Sequence, residues 1–286
     1  DGRLDLFLGF YQADRVFQSR SWTSRVYRND GSTFVDVTAG SGLEGGVRPA
    51  NTLAVTCTDY DADGRMDLFE VNDFGMCNTP NRLLHNDGKL HFTDATAGLG
   101  MHDAIYGMGA LSCDFDNDED LDLYATNVCA KVLERNDGAR FSEVAREVGA
   151  AAVGYLVSGD ACSDSYPDYG PTFKAYCGED LVDFAARYCS PTQRQFVHSS
   201  FGALCFDADG DGWQDLAVAN SSIVPGSGLP DGYCQPNTVL HNLRGRFEDV
   251  SVASGMAAVG GEQLSIAAAD LDGDGDLDLV MHGNNL

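Results

Sequence analysis

The sequence predicts an all-β fold, a β-propeller of four-stranded blades, on the strength of three observations. An acidic loop recurs four times along the chain, each copy follows a short apolar stretch rich in small residues, and hairpin sequences separate the copies. Strong helical periodicity is nearly absent. Four short strands repeated in series indicate propeller blades, which bury a shared core only when several of them stack together.

The acidic loop is clearest in residues 206–220, FDADGDGWQDLAVAN, where four aspartates fall within nine positions. Like charges at this density repel unless a cation lies among them. Ca²⁺ takes roughly six to eight oxygen ligands, and alternate residues of a tight loop can turn their carboxylates toward one centre. A single copy is also compatible with a solvated acidic turn. The candidate ligands are Asp207, Asp209, Asp211, the carbonyl of Trp213, and Asp215.

The loop is not alone, which favours the calcium interpretation. Further copies begin at Asp59 (DYDADGRMDLFEVN), Asp114 (DFDNDEDLDLYATN) and Asp270 (DLDGDGDLDLVMHGN), and the chain opens on a half copy, DGRLDLFLG. The closing aspartates of the five copies are spaced 62, 55, 93 and 63 residues apart. Because the chain begins and ends inside such units, we expect a fragment of a larger ring.

The segments that flank the loops supply the remaining strands. Those that precede the loops are apolar and rich in small residues, as expected of an innermost strand near a crowded axis; examples are Ala54, Gly107, Gly109, Ala110, Gly202 and Ala203. Those that follow contain Asn-Asp-Gly between two short apolar runs, which predicts a hairpin because Asn and Gly accept positive φ. The fourth hairpin has Arg244-Gly245 instead, which predicts another turn type.

Charge and cysteine content limit the class of protein. The formal net charge is −26, and four bound Ca²⁺ ions would bring it to −18, so neither nucleic acid nor an anionic membrane is expected as a partner. No apolar run is long enough to span a bilayer. The residual acidity indicates either a solvated surface or a cationic partner.

Nine cysteines without a C-x-x-C pair argue against zinc or haem attachment and favour an oxidising compartment with some disulfides. The connectivity stays open. Three of the cysteines, Cys57, Cys113 and Cys205, fall on predicted first strands, where they are alternatively small buried hydrophobic residues.

Residues 150–198 account for the longest spacing and are predicted to be an insertion rich in cysteine and aromatic residues. Within it, GEDLVDFAARYC has the pattern of a short helix. Loops on a rigid scaffold often carry binding function. The alternative is a disulfide-pinned cap packed on the edge of the ring.

The stretch GMGALSCDFDNDEDLDLYATN, followed by RNDGARFSEVA, resembles an FG-GAP/VCBS repeat, the calcium-binding blade of integrin α-subunit propellers. The hairpin pattern is most similar to the cartilage acidic protein and ASPIC/UnbV group. The resemblance covers nearly the whole chain except the insertion. It implies a full ring of about seven blades, with the loop joining the first two strands of each blade and Ca²⁺ held by loop positions 1, 3, 5 and 9 and the position-7 carbonyl.

Carried over on this resemblance, the metal ligands are Asp59, Asp61, Asp63 and Asp67 with Arg65; Asp114, Asp116, Asp118 and Asp122 with Asp120; Asp207, Asp209, Asp211 and Asp215 with Trp213; and Asp270, Asp272, Asp274 and Asp278 with Asp276. Two departures stand out. Glu119 replaces the loop glycine in the second whole copy, so we expect its turn to be strained or altered. The opening half copy keeps only Asp1 and Asp5, and we expect it to be empty or disordered.

An EF-hand is the main rival for these loops, but it needs a glutamate at position 12 and flanking helices. Position 12 is Glu70, Ala125, Val218 and Met281 in the four copies, and the flanks are predicted strands. The sequence has no G-x-S-x-G, H-E-x-x-H or P-loop motif, and its many loop aspartates are better explained as metal ligands than as paired carboxylates for glycoside hydrolysis. Two histidines, His85 and His241, align in the repeat with Arg28 and Arg135, which indicates a surface or turn contact.

The sequence therefore predicts a calcium-binding propeller module, secreted or at the cell surface, or periplasmic, that serves adhesion, protein–protein interaction or assembly and is not an enzyme. Its expected partner is a protein or glycan ligand, within a larger extracellular assembly and without membrane insertion. The alternatives are a glycan-binding, lectin-like propeller and a polysaccharide-active propeller enzyme. Fold alone does not decide among them.

Overall fold

A computed structural model describes residues 2–11, 24–43, 50–75, 79–128, 130–152, 199–221, 236–258 and 262–284. Nearly all of the predicted insertion, with its short helix, therefore lies outside the described residues. No helix in the described part of the chain is long and apolar enough to cross a membrane.

The described chain forms five antiparallel sheets, which we call blades one to five. Blade one contains β1 (Leu6–Leu8), β2 (Arg25–Asn29) and β3 (Phe34–Asp36). Blade two contains β4 (Thr52–Thr58), β5 (Asp67–Asn72), β6 (Arg82–Gly88) and β7 (His91–Asp94). Blade three contains β8 (Gly107–Cys113), β9 (Asp122–Asn127), β10 (Val132–Asn136) and β11 (Phe141–Glu143), and a short helix α1 (Ala145–Val148) follows it.

Blade four contains β12 (Ser199–Phe206), β13 (Asp215–Ser221), β14 (Thr238–Asn242) and β15 (Phe247–Asp249), and a 3-10 turn (Met256–Ala258) follows it. Blade five contains β16 (Glu262–Ala269) and β17 (Asp278–Asn284). In every blade each strand pairs with the next along the chain, so the order is a simple meander. The predicted all-β class with four-stranded propeller blades is confirmed.

Each whole acidic loop joins the first two strands of its blade, as the repeat predicts. The closing aspartates open the second strands and face the last residues of the first strands, for example Cys113 opposite Asp122 and Phe206 opposite Asp215. The first strands of blades two to five also have a register shift near their start, such as that between Gly107 and Gly109. The repeats therefore share backbone geometry as well as sequence.

The first strands of neighbouring blades lie side by side, β4 beside β8, β8 beside β12 and β12 beside β16. A Cβ atom on Gly109 would stand 2.0 Å from the Phe201 carbonyl oxygen, and one on Gly202 would stand 2.9 Å from the Ile266 nitrogen. Neither position leaves room for a side chain without a backbone shift. The predicted crowding of small residues on the innermost strands is thus confirmed at these glycines.

The hydrophobic core lies between blades. One cluster packs Phe69 and Leu83 of blade two against Leu123 and Phe141 of blade three. Another packs side chains of blade three, such as Tyr124, against blade four. Blades two, three and four thus bury side chains against their neighbours, which is why several repeats are needed for stability.

One disulfide links two blades. Cys113 at the end of β8 is bonded to Cys205 on β12, with Cα atoms 6.5 Å apart. The prediction of disulfides is confirmed for this pair, and the alternative of small buried hydrophobic residues is wrong for it. Cys57, at the matching place on β4, is free and exposed, so that alternative is wrong for it as well.

Candidate metal centre

The acidic loops share one pattern of hydrogen bonds between side chains and backbone. In blade two, the first loop aspartate, Asp59, accepts the backbone N–H groups of Asp63 and Gly64, each at 3.0 Å. In blade four, Asp207 accepts those of Asp211 at 3.1 Å and Gly212 at 2.9 Å. The first aspartate thus holds the turn closed and keeps the later carboxylates on one side of the loop.

The closing aspartates attach the loop to the third strand of the blade. Asp122 is buried; its Oδ1 accepts the N–H of Asn136 at 2.8 Å and its Oδ2 accepts the N–H of Phe115 at 3.0 Å. Asp215 is bonded in the same way by Asn242 at 2.7 Å and Ala208 at 2.9 Å. Sequence reasoning assigned the closing aspartate only to metal binding, yet it also joins two backbone segments.

The structure brings carboxylates of three loops close enough to share a cation. In each group one oxygen per residue lies within 4.8 Å of the others, and the groups are Asp59, Asp61 and Asp63; Asp114, Asp116 and Asp122; and Asp207, Asp209 and Asp211. These nine are all among the predicted ligands. Exposed acidic groups of this kind are also common without an ion, so the ligand assignment stays a prediction.

The other predicted ligands lie in the same loops with mainly backbone contacts. The position-7 residues Arg65, Asp120, Trp213 and Asp276 donate their N–H groups to the position-5 aspartates Asp63, Asp118, Asp211 and Asp274. In blade five, Asp270 accepts from Gly273 and Gly275, Asp272 from Asp274, and Asp278 from Leu271. In the opening half copy Asp5 accepts the N–H of Asn29, and Asp1 lies outside the described residues.

The electrostatics of the clusters fit a hard cation. Burial, together with the charges of Asp116 and Asp118, raises the pKa of Asp122 to about 8 despite two backbone hydrogen bonds to its carboxylate. Burial also raises the pKa of Asp67 and of Asp116. The buried Oδ1 atom of Asp116 has no hydrogen-bond partner. Oxygen donors that are crowded, poorly solvated and partly unpaired suit Ca²⁺.

The turn at Glu119 is strained, as the sequence predicts. Its φ is +74°, while the glycines at the same loop position, Gly64, Gly212 and Gly275, have φ of +84°, +88° and +98°. A side chain is rarely tolerated in this region of backbone conformation. The loop of blade three nevertheless keeps the common pattern, because the N–H of Glu119 still reaches Asp114 Oδ2 at 3.1 Å.

The two histidines of the third strands lie beside the acidic clusters, a contact that their alternation with arginine does not predict. His85 Nδ1 lies 3.3 Å from Asp61 Oδ2 and 3.4 Å from Asp67 Oδ1. His241 Nδ1 lies 3.1 Å from Asp215 Oδ1. Their position immediately before the asparagine that binds the closing aspartate is the sequence signal that could have found them.

The EF-hand rival does not fit the structure. Glu70 is the one glutamate at position 12, and it is fully buried away from the loop. Its carboxylate accepts Arg82 Nε at 2.7 Å and the hydroxyl groups of Ser24 at 2.5 Å and Thr52 at 2.8 Å. The segments that flank all four whole loops are strands.

Comparison with known sequences identifies the repeat. The sequence model described as FG-GAP-like repeat matches residues 1–70, 59–125 and 207–281. Cartilage acidic protein 1 of Homo sapiens is 28% identical over 160 residues, which are 54% of this chain and 22% of the relative. The Xenopus tropicalis protein of that name is 26% identical over 163 residues, 55% of this chain and 24% of the relative. The matches thus span about a quarter of the length of these relatives.

Comparison with solved structures gives partial matches, among them a lectin and a lyase. An Agrocybe aegerita lectin that recognises non-reducing terminal N-acetylglucosamine aligns with 92% of this chain and 56% of its own, at 18% identity and a TM-score of 0.39. A Bacillus licheniformis rhamnogalacturonan lyase aligns with 91% of this chain and 47% of its own, at 14% identity and a TM-score of 0.41.

Proposed function

This chain belongs to the FG-GAP-like repeat family, and on that premise we propose that it is a calcium-binding, extracellular β-propeller module that serves adhesion, protein–protein interaction or assembly. The observation that carries the proposal is the convergence of three loop carboxylates within 4.8 Å in each of blades two, three and four. Ca²⁺ prefers carboxylate and carbonyl oxygens, which these loops present.

Calcium has a structural role in this proposal. Each loop joins the first two strands of a blade, and its closing aspartate binds the third strand through backbone N–H groups, such as that of Asn136. A bound cation offsets the repulsion between aspartates that burial makes stronger. The proposed role is binding rather than catalysis, because the loop carboxylates lie close enough together to act as ligands of one cation.

An extracellular location is supported by the disulfide between Cys113 and Cys205, since such bonds persist in oxidising compartments. Millimolar extracellular calcium is enough to fill sites of modest affinity. The net charge of −26 favours a partner with a cationic surface, whether protein or glycan-bearing.

Thermal melting of the full chain tests the calcium proposal. Each ion that binds only the folded state adds about 2.7 kcal/mol at a hundredfold excess over its Kd. We therefore expect removal of divalent ions with a chelator to lower the Tm sharply, and Ca²⁺ to restore it more fully than Mg²⁺ at the same concentration. An identical Tm with chelator and with saturating Ca²⁺ would contradict the proposal.

Variants locate the effect. Asp61→Asn and Asp209→Asn each remove one charge from a cluster, and we expect each to reduce the calcium-dependent rise in Tm. The matched control is Asp30→Asn, a hairpin aspartate that pairs with Arg28 outside the clusters. An equal loss of calcium response in the control would show a non-specific charge effect.

The adhesion role is tested by immobilising the chain and comparing ligand retention with Ca²⁺ and with chelator. Retention that does not depend on calcium would argue against a calcium-organised binding surface.

A further inference from the structure

A second kind of donor set lies beside the calcium cluster of blade two. One ring nitrogen of His85 and one carboxylate oxygen each of Asp61 and Asp67 lie within 4.8 Å of one another, and Nδ1 is 3.3 Å from Asp61 Oδ2. Asp67 is fully buried, and its Oδ2 makes no hydrogen bond of normal geometry. The buried Nδ1 of His85 likewise lacks a hydrogen-bond partner. His85 Nδ1 lies 3.4 Å from the other oxygen of Asp67, Oδ1, without forming a hydrogen bond to it.

Blade four repeats this arrangement with different residues. His241, Asp209 and Asp215 form a group within the same 4.8 Å limit. Asp215 is buried, and its Oδ1 lies at hydrogen-bond distance, 3.1 Å, from His241 Nδ1. The other ring nitrogen, Nε2, lies 3.8 Å from Asp209 Oδ2, whereas in blade two Nδ1 faces both carboxylates. Because blades two and four are separate copies of the repeat, the same triad in both is independent support for a defined site.

Blades one and three carry arginine at this place in the repeat. Arg28 and Arg135 each pair with the aspartate two residues later, Asp30 at 2.7 Å and Asp137 at 2.9 Å. A guanidinium is always charged and has no lone pair to give a metal. This position of the repeat therefore holds either an arginine, which is a fixed cation, or a histidine, whose imidazole is able to bind a metal.

The donor chemistry selects the ion. Ca²⁺ takes oxygen ligands, whereas one imidazole nitrogen with two carboxylates suits Zn²⁺ and related first-row ions. Three protein ligands with an open position are a common Zn²⁺ arrangement. We propose that the loops of blades two and four each bind a first-row transition-metal ion, with Zn²⁺ as the reference case, through Asp61, Asp67 and His85, and through Asp209, Asp215 and His241.

These sites share Asp61 and Asp209 with the oxygen-only clusters, and Asp67 and Asp215 are also among the predicted calcium ligands, so the histidine is the ligand that only the new site uses. The inference therefore rests in part on the proposed calcium function, because a shared carboxylate would bridge the two ions. Other groups near the imidazole of His85 are Asp87, whose Oδ1 is 3.8 Å from Nε2, and the ring of Tyr60, 6.1 Å away edge to face. The charged groups beside His85, namely Asp61, Asp67 and Asp87, are thus all acidic, which further favours a cation.

Calorimetric titration of the full chain with Zn²⁺ in saturating Ca²⁺ tests the inference. We expect two Zn²⁺ ions per wild-type chain, one in His85→Asn or His241→Asn, and none in the double variant. The matched control is His282→Asn, an exposed histidine on β17 outside both triads, which should keep two ions. Equal Zn²⁺ binding by the wild type and the double variant, or no binding by the wild type, would overturn the inference.

Two further measurements keep the result interpretable. If the double variant does not fold, nuclear magnetic resonance of the wild-type chain replaces it: Zn²⁺ should shift the ring signals of His85 and His241 and leave that of His282 in place. Shifts at all three rings, or at none, would contradict the inference. The calcium-dependent rise in Tm, measured without Zn²⁺, tests the proposed function separately, because His85→Asn leaves all loop carboxylates intact.

Discussion

Asn136 of blade three donates a hydrogen bond from Nδ2 to the backbone carbonyl of Tyr60 in the acidic loop of blade two, at 2.8 Å. Asn242 of blade four repeats this bond with the carbonyl of Phe115 in blade three, at 2.7 Å. The ring of Tyr60 also packs against Phe141 of blade three, with centroids 6.0 Å apart. The hairpin of one blade is therefore attached to the acidic loop of the blade before it.

We expect Asn136→Ala to destabilise the chain more than Asn86→Ala. Each substitution removes a bond to its own loop, from Asn136 to the Leu121 carbonyl and from Asn86 to the Met66 carbonyl. Among the described residues, only the first also removes a bond to a neighbouring blade. The unpaired buried carbonyl of Tyr60 should add roughly 1–3 kcal/mol to the loss. Urea unfolding in saturating Ca²⁺ measures the difference, and equal losses would mean that the inter-blade bond contributes little.

The repeat pattern predicted the hairpins but not what they contact. Asn-Asp-Gly gives the turn because Asn136 Oδ1 accepts the N–H of Gly138 at 3.0 Å, a local bond that sequence spacing reveals. The same side chain's bond to Tyr60 depends on how two blades stack. Local periodicity carries no information about that distance, so the asparagine was assigned one role where the structure gives it two.

In the candidate site, too, the sequence predicts the local contacts but not those that depend on strand pairing. The loop aspartates could be found because their spacing brings them together within one turn. The closeness of His85 to Asp61 depends on the pairing of β6 with β5, in which Leu84 lies opposite Leu68, and this register is not encoded in the loop itself. The alternation of His and Arg at this repeat position predicts a surface or turn contact, and it does not show that the imidazole lies beside loop carboxylates.

A glycine after α1 should be intolerant of any side chain. Gly149 has φ of +87°, and a Cβ atom there would stand 2.5 Å from the Phe247 carbonyl oxygen of blade four. Its matched control is Gly255, with φ of +79° and no atom within 4 Å of the Cβ position. Both alanine variants bear the cost of positive φ, about 1–2 kcal/mol. Gly149→Ala should lose a further 1–3 kcal/mol or so from the clash.

The measurement is the urea midpoint of both glycine variants at a common pH and calcium concentration. A similar midpoint for Gly149→Ala and Gly255→Ala would show that the contact between blades three and four adjusts without cost. A larger loss for Gly149→Ala would show that the inter-blade contact is rigid.

Glu119→Gly should stabilise the protein. Glu119 occupies a turn position where φ is +74°, and glycine relieves this strain at the cost of a more flexible unfolded chain. The net gain should be about 0.5–1 kcal/mol. Glu119→Gln is the control, because it removes the charge and keeps the strained backbone. If the glutamine variant gains as much in thermal melting, relief of charge repulsion rather than of strain is the cause.

Asp73→Asn should stabilise the folded chain at neutral and higher pH but not at low pH. Asp73 is buried, and burial raises its pKa from an ordinary 3.8 to about 7 although it accepts bonds from Phe74 N–H and the Tyr11 hydroxyl. Between these two pH values the folded state holds a proton that the unfolded state has released. The free energy of unfolding of the wild type therefore falls as pH rises through this window.

Asparagine has nearly the shape of aspartate and cannot ionise, so the stability difference between Asp73→Asn and wild type should be small near pH 4 and largest above pH 7. Its upper limit is about 4 kcal/mol, at roughly 1.4 kcal/mol per pKa unit. Urea unfolding at several pH values in saturating Ca²⁺ measures the difference. Asp30→Asn is the control: Arg28 lowers the pKa of Asp30, so its difference should not grow with pH in this direction. A pH-independent difference for Asp73→Asn would show that the Asp73 carboxylate is solvated in the folded protein.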